Sequence, residues 1–203
     1  MRHLAILIPL AAGAIALAAG AAAQTGRTAG VYATFETSEG VIVARLYDKE
    51  TPDTVRTFIG LAQGNIQWYD TTAKKFVKRP LYRDMIFHRV VPRDAIQAGD
   101  PTAVGNAPCG IKQRDEFLPG LRFDRSGRLA LANSGEPDSG GCQFFITANV
   151  APQWNGKYTI FGQVVEGLDV VANISRVPVR GDKPVTPVKL IAVTIERFTP
   201  GKR

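Results

Sequence analysis

Apolar and polar residues alternate in short runs along most of the chain. Residues 31–35 and 41–47 alternate with period two on either side of Ser38-Glu39-Gly40, a pattern that predicts a β-hairpin. After Thr51-Pro52-Asp53 the period changes. Val55, Phe58, Ile59 and Ala62 fall at i, i+3, i+4 and i+7, the apolar stripe of a helix over 52–62, with Thr51 as its N-cap and Gly64 as its stop. Residues 65–80 show neither period and read as an inserted surface loop. Strand patterning returns over 85–91 and stops at Pro92, and 102–110 is a loop containing Gly105, Pro108 and Gly110. Residues 129–132 and 143–147 form two strand-like arms, joined by a turn-rich segment too long for a two-residue hairpin turn. On the second arm Gln143 and Phe145 share one face, while Phe144 and Ile146 share the other. A strand over 158–165 interrupted at Gly162, a short helix over 168–174 and a last strand over 189–197 complete the pattern. Many short antiparallel strands with two helices imply a mainly β fold, either a barrel or a sandwich with helical caps.

The first 23 residues stand apart. A basic start at Arg2, a Leu, Ile and Ala run, and Ala21-Ala22-Ala23 before Gln24 are the marks of a secretory signal peptide, with cleavage expected after Ala23. Residues 24–203 then form one domain, without internal repeat or shift in composition. The expected location is exported and periplasmic, with membrane contact only during export, and the expected state is a monomer. The net charge of +7 lacks a dense run of basic residues interleaved with aromatics, so nucleic acid is not an expected partner. The basic cluster of Lys74, Lys75, Lys78, Arg79 and Arg83 reads as a solvated loop. With two cysteines and His88 as the one histidine of 24–203, no His or Cys metal cluster of the usual structural kind can be assembled, and no cofactor is expected.

Candidate chemistry begins with Asp138-Ser139-Gly140-Gly141, which resembles the nucleophile segment of chymotrypsin-like proteases, with His88 upstream in that family's order. The match is superficial. His88 sits in the context Phe87-His88-Arg89, and too little chain separates it from Ser139 to build the second barrel that carries such a serine.

Four other segments agree with one another. Phe87-His88-Arg89-Val90-Val91-Pro92 followed by Gln97, then Leu131-Ala132-Asn133-Ser134-Gly135, Gln143-Phe144-Phe145-Ile146, and residues 155–162 resemble, in order and spacing, the cyclophilin family of peptidyl-prolyl isomerases. The likeness runs over about 31–198. It implies an eight-stranded antiparallel β-barrel capped by two α-helices, with an outer groove that binds proline-containing segments of unfolded or exported polypeptides. The resemblance makes Arg89 the catalytic residue and Gln97 its support. It places His88, Ala132, Asn133, Ser134, Gln143, Phe145 and Tyr158 at the groove. The family's groove Trp falls on Gln153, with Trp154 at the adjacent apolar position. Asp94 and Ala95 stand where the family has an aromatic and a Met, which thins the proline pocket and suggests a carboxylate near Arg89. Cys109 and Cys142 lie in loops that the family's fold brings together, so a disulfide is implied, with two free thiols as the alternative. The implied function is X-Pro isomerisation in exported proteins. The alternative is a cyclophilin-fold binding module or chaperone with little catalysis.

Overall fold

The computed structural model describes residues 27–200, so the leader expected at 1–23 lies outside the described residues. The elements in chain order begin with β1 (Gly30–Thr37), β2 (Gly40–Leu46), α1 (Pro52–Gln63), β3 (Trp68–Asp70), β4 (Lys75–Val77), β5 (Arg83–Ile86), β6 (Arg89–Val91) and β7 (Ala95–Ala98). They continue with β8 (Arg128–Leu131), β9 (Phe144–Thr147), a 3-10 turn (Pro152–Trp154), β10 (Ile160–Glu166), α2 (Leu168–Ile174), β11 (Val179–Arg180), β12 (Lys183–Pro184) and β13 (Lys189–Phe198).

One antiparallel sheet of order β5-β13-β1-β2-β10-β8-β9-β7-β6 dominates the fold. Its outermost strands are neighbours in sequence. The run 85–91, which reads as a single strand, is divided at Phe87 and His88, so that Met85 pairs with Leu190 on β13 whereas Arg89 pairs with Gln97 on β7. Two residues cannot span an open sheet, so the sheet curls until its edges meet along this run. Counted as one strand, β5 and β6 give the eight-stranded barrel.

The alternation of β1 and β2 follows directly, because Phe35, Ile42, Ala44 and Leu46 enter the barrel while Glu36, Val41 and Arg45 between them are exposed. Helix α1 covers one opening. Its Phe58 meets Tyr82, Phe161, Phe144 and Phe35 at ring separations of 5.0 to 6.1 Å. The αL residue that ends α1 is Gly64, as the sequence pattern requires.

The start of α1 differs from expectation. Thr51 occupies the N-cap position but makes no capping bond, since its hydroxyl donates to the Tyr47 carbonyl. Glu116, from a loop far along the chain, caps the helix instead: its carboxylate accepts the N–H groups of Asp53 and Thr54 and the Thr54 hydroxyl. A charged acceptor at a helix N-terminus also meets the positive end of the helix dipole.

The segment 65–80 is not an unstructured loop. It contains the β3–β4 hairpin, anchored by Trp68, which is buried and donates its indole N–H to the Arg79 carbonyl at 3.0 Å. Arg79 is therefore not simply one of a solvated basic cluster. Its guanidinium lies 4.9 Å from the Trp68 ring centre and pairs with Asp70 at 2.8 Å. Three-residue strands leave no window in which period two can be recognised. Among the described residues no helix is long and apolar enough to cross a membrane.

Candidate active site

Strand register builds the site. Arg89 on β6 faces Gln97 on β7, Gln97 faces Phe145 on β9, and Phe145 faces Ala130 on β8. Residues directly opposed across antiparallel strands project to the same face, at about 4.8 Å per strand. One row across four strands thus lines up a guanidinium, an amide and an aromatic ring on the outer surface of the barrel. Phe144 and Ile146 point the other way, into the main core.

Phe145 belongs to a second, smaller cluster outside the barrel. It stacks on Phe123 at 5.9 Å and meets Trp154 and Tyr158 edge-on at 5.4 and 5.1 Å. These contacts fix the ring and leave it only 5% exposed, at the floor of a depression. It borders a cavity of about 200 Å³ that is also lined by Arg89, Gln97, Trp154, Tyr158, Ala95 and Ala132. That is smaller than the roughly 300 to 1,000 Å³ usual for small-ligand pockets, and suits one residue of an extended chain.

A relay of side-chain amides supports the row. Arg89 Nη1 donates to Gln97 Oε1 at 3.4 Å, Gln97 Nε2 donates to Gln143 Oε1 at 2.8 Å, and Gln143 Nε2 donates to the Gly105 carbonyl at 3.0 Å. Each amide has one donor and one acceptor in use, so the chain of bonds has a single direction.

Asn133 supplies a different feature. Its side chain is occupied, donating to the Lys157 carbonyl at 2.8 Å and accepting the Gly135 N–H at 3.1 Å. Its main-chain N–H and C=O make no hydrogen bond to the protein among the described residues. Gln97, Ala132 and Asn133 also border a second cavity of about 410 Å³, which contains Ser134, Gln143, Cys109 and Cys142. Ala132 and Asn133 thus line both depressions.

Cys109 and Cys142 form a disulfide that ties the 99–110 loop to the arm leading into β9. The approach there is close. Gly99 has φ of 99°, and a Cβ on it would fall 2.5 Å from the Cys142 carbonyl oxygen, so only glycine fits. Asp100 organises the same loop. Burial works to raise its pKa, but the Thr102 hydroxyl and the N–H groups of Thr102 and Gly105 outweigh this and hold it below the usual carboxylate range.

Several expected groove residues lie elsewhere. His88 is behind the groove, 6% exposed, and neither ring nitrogen has a hydrogen-bond partner among the described residues. Burial lowers its pKa, partly opposed by the attraction of Asp100. Ser134 and Gln143 border the second cavity and not the first. Asp94 neither lines the proline-sized cavity nor pairs with Arg89. It sits in the turn between β6 and β7, where its N–H donates to the Val91 carbonyl and its own carbonyl accepts the Ala148 N–H. The carboxylate beside Arg89 belongs to Asp182, with Nε to Oδ2 at 2.9 Å. Of the two neighbours in the 3-10 turn, Trp154 enters the pocket wall and Gln153 is exposed.

The sequence model of the cyclophilin-type peptidyl-prolyl cis-trans isomerases matches residues 32–195, almost the whole described chain. The chain belongs to the cyclophilin family. Peptidyl-prolyl cis-trans isomerase A of Mycobacterium tuberculosis is 42% identical to this cyclophilin over 166 residues, covering 80% of this chain and 91% of its own. Isomerase B of Streptomyces anulatus is 40% identical over 171 residues, covering 82% and 97%. A Cryptosporidium parvum cyclophilin-type isomerase, solved in the presence of the dipeptide Ala-Pro, superposes with a TM-score of 0.70 at 28% identity, covering 81% of this chain and 98% of that one. The mainly β fold and the isomerase class of this cyclophilin are thereby fixed.

Proposed function

We propose that this cyclophilin rotates X-Pro bonds in exported polypeptides, with Arg89 as the catalytic residue and the Phe145 cavity as the proline pocket. The observation that carries the reading is the cross-strand row, which sets the Arg89 guanidinium beside an aromatic-floored cavity one proline wide. The Ala-Pro dipeptide accompanying the related C. parvum protein is a ligand of matching chemistry.

The step to be accelerated is a rotation with a barrier of about 18 to 20 kcal/mol, set by resonance between the carbonyl and the nitrogen. Twisting the bond returns a lone pair to the proline nitrogen. A donor aimed at that nitrogen is used only in the twisted state, so it lowers the barrier without tightening either planar ground state. Arg89 has that donor, on a guanidinium that presents its N–H groups as a fixed planar fork. The pyrrolidine ring packs on Phe145, and the free N–H and C=O of Asn133 hold the adjoining residue as an added strand would. One side of the bond is clamped while the other turns.

Support for export comes from the apolar leader ending at Ala21-Ala22-Ala23 and from a disulfide, a bond that persists in oxidising compartments. Slow X-Pro isomerisation limits the folding of many chains, so newly exported proteins are the proposed substrates.

Arg89→Ala tests the catalytic assignment. Arg89 is exposed, so the variant should melt at the parent temperature, yet its kcat/KM in a protease-coupled proline-isomerisation assay should fall by roughly a hundredfold or more. Parent activity would remove Arg89 from the mechanism. Mass spectrometry of the protein recovered from the producing cell checks export, with Gln24 as the expected first residue and an intact leader as the refuting result.

A further inference from the structure

Arg89 has a second hold. Asp182 lies in the tight turn between β11 and β12, next to Gly181 at φ 62°, and uses both its main chain and its side chain on β6. Its carbonyl accepts the Val90 N–H at 2.7 Å, and its carboxylate accepts Arg89 Nε–H at 2.9 Å. Strand β6 is the last strand of the sheet, so its outer edge lacks a strand partner, and Asp182 supplies both contacts there.

We propose that Asp182 is a positioning residue for the isomerisation, fixing the Arg89 guanidinium from the side opposite Gln97. This rests on the assignment of Arg89 as the catalytic group. With Nε on Asp182 and Nη1 on Gln97, the guanidinium is held at two of its three nitrogens. Nη2 has no protein partner among the described residues, and its two N–H groups, with the second N–H of Nη1, are the donors left for the substrate. A planar fork held at two points cannot turn about its own axis. Held by Gln97 alone, at 3.4 Å, it can swing. The placement of a donor to within a fraction of an ångström decides how much of its interaction is realised in the twisted state. The opposing effect is charge masking, since a carboxylate at 2.9 Å draws potential away from the donor. The two effects predict opposite signs, so activity can decide between them.

The main-chain bond to Val90 survives any substitution at Asp182, so the fold is not at risk. Three variants are compared in the full chain: Asp182→Ala removes the acceptor, Asp182→Asn keeps an acceptor without charge, and Asp182→Ala is repeated in the Arg89→Ala background. Positioning predicts that Asp182→Ala lowers kcat/KM by roughly twofold to fivefold, the scale of losing one ion-pair hold on an exposed group, with an unchanged melting temperature. It predicts that Asp182→Asn restores most of the loss, and that Asp182→Ala changes nothing once Arg89 is absent. The parent should also lose activity as salt is raised while Asp182→Ala does not, because only the parent has an ion pair at Arg89 to screen. Equal or higher activity of Asp182→Ala would mean masking, and would overturn the proposal. So would an equal loss in the Arg89→Ala background, which would show that Asp182 acts through something else. Full activity of Arg89→Ala itself would overturn the catalytic assignment first, and this proposal with it.

Discussion

Breaking the Cys109–Cys142 bridge should cost this cyclophilin a large part of its stability. The two cysteines are 33 positions apart and both are buried. Closing a loop of that length in the unfolded chain removes about 12.5 cal/mol/K of entropy, or about 3.7 kcal/mol at 25 °C, on the chain-entropy account. For a domain of this size, each kcal/mol moves the melting temperature by about 2 to 4 °C. The reduced protein should therefore melt about 7 to 15 °C below the oxidised one. Calorimetric melts of oxidised parent, parent reduced with a phosphine, and the double variant Cys109→Ala, Cys142→Ala would measure it. The last two should agree to within a few degrees, since each truncation removes only a sulfur from the packing. A difference below about 2 °C between oxidised and reduced protein would refute the reasoning, because the loop-closure effect cannot be that small unless the reduced denatured chain already holds the two loops together.

Three further outcomes follow from the structure. Glu116→Ala should destabilise by about 1 to 2 kcal/mol in urea titration, because it strips the capping acceptor from the first N–H groups of α1; a change under about 0.3 kcal/mol would mean that water replaces it fully. His88 is buried and its folded pKa lies below the unfolded value, so the unfolded chain takes up a proton first as pH falls through about 6.5, and stability drops from there toward the folded pKa. Melting temperatures between pH 7.5 and pH 5 should show that decline in the parent and not in His88→Gln, whereas equal slopes would assign it to other groups; Asp70, Asp100 and Asp124, whose pKa values are lowered, lose their contributions only at more acid pH. Asp94→Asn should leave kcat/KM within about twofold, because its carboxylate is not the one beside Arg89, and a larger change would place Asp94 in the groove after all.

What could be read from the sequence was set by how each element is stabilised. Strands β1, β2, β10 and β13 have seven to ten residues each and set one face in the main core and the other largely outside it, so a period of two is written into much of their sequence. Strands β3, β4, β11 and β12 form two local hairpins of two or three residues per arm, too short to show a period, and each is held by distant chain, Tyr69 N–H on the Cys109 carbonyl and the Asp182 carbonyl on Val90, which no local window records. The division of 85–91 has the same origin. Phe87 is fully buried where the chain passes from one sheet edge to the other, and that turn depends on where β13 and β7 lie, not on the identities of Phe87 and His88.

The site divides along the same line. Arg89, Gln97 and Phe145 were legible because the motifs that contain them fall on strands, and strand register alone brings them into one row. The mixed character of β9 was legible too, since Phe144 and Phe145 are adjacent and must face opposite ways, one into the barrel and one into the groove. The carboxylates were not. Asp94, close in sequence to Arg89, is turned away by the β6–β7 reversal, whereas Asp182 reaches Arg89 across a separation of 93 positions and Glu116 reaches α1 across 62. A single carboxylate in a polar loop has no periodic signature, so its role emerges only when the loop is seen against the strand or helix it serves. In this fold such loops reach the groove from both sides of the row: the 99–110 loop joins it through Gly105 and Gln143, and the 181–182 turn joins it through Asp182. The groove is thus a surface of the barrel whose row of side chains is fixed by register and whose donor directions are fixed by loops. Substitutions at inward-facing strand positions such as Phe144 should disturb stability and activity together, while those at exposed groups that meet only the groove, Arg89 on its strand and Asp182 in its turn, should change activity alone.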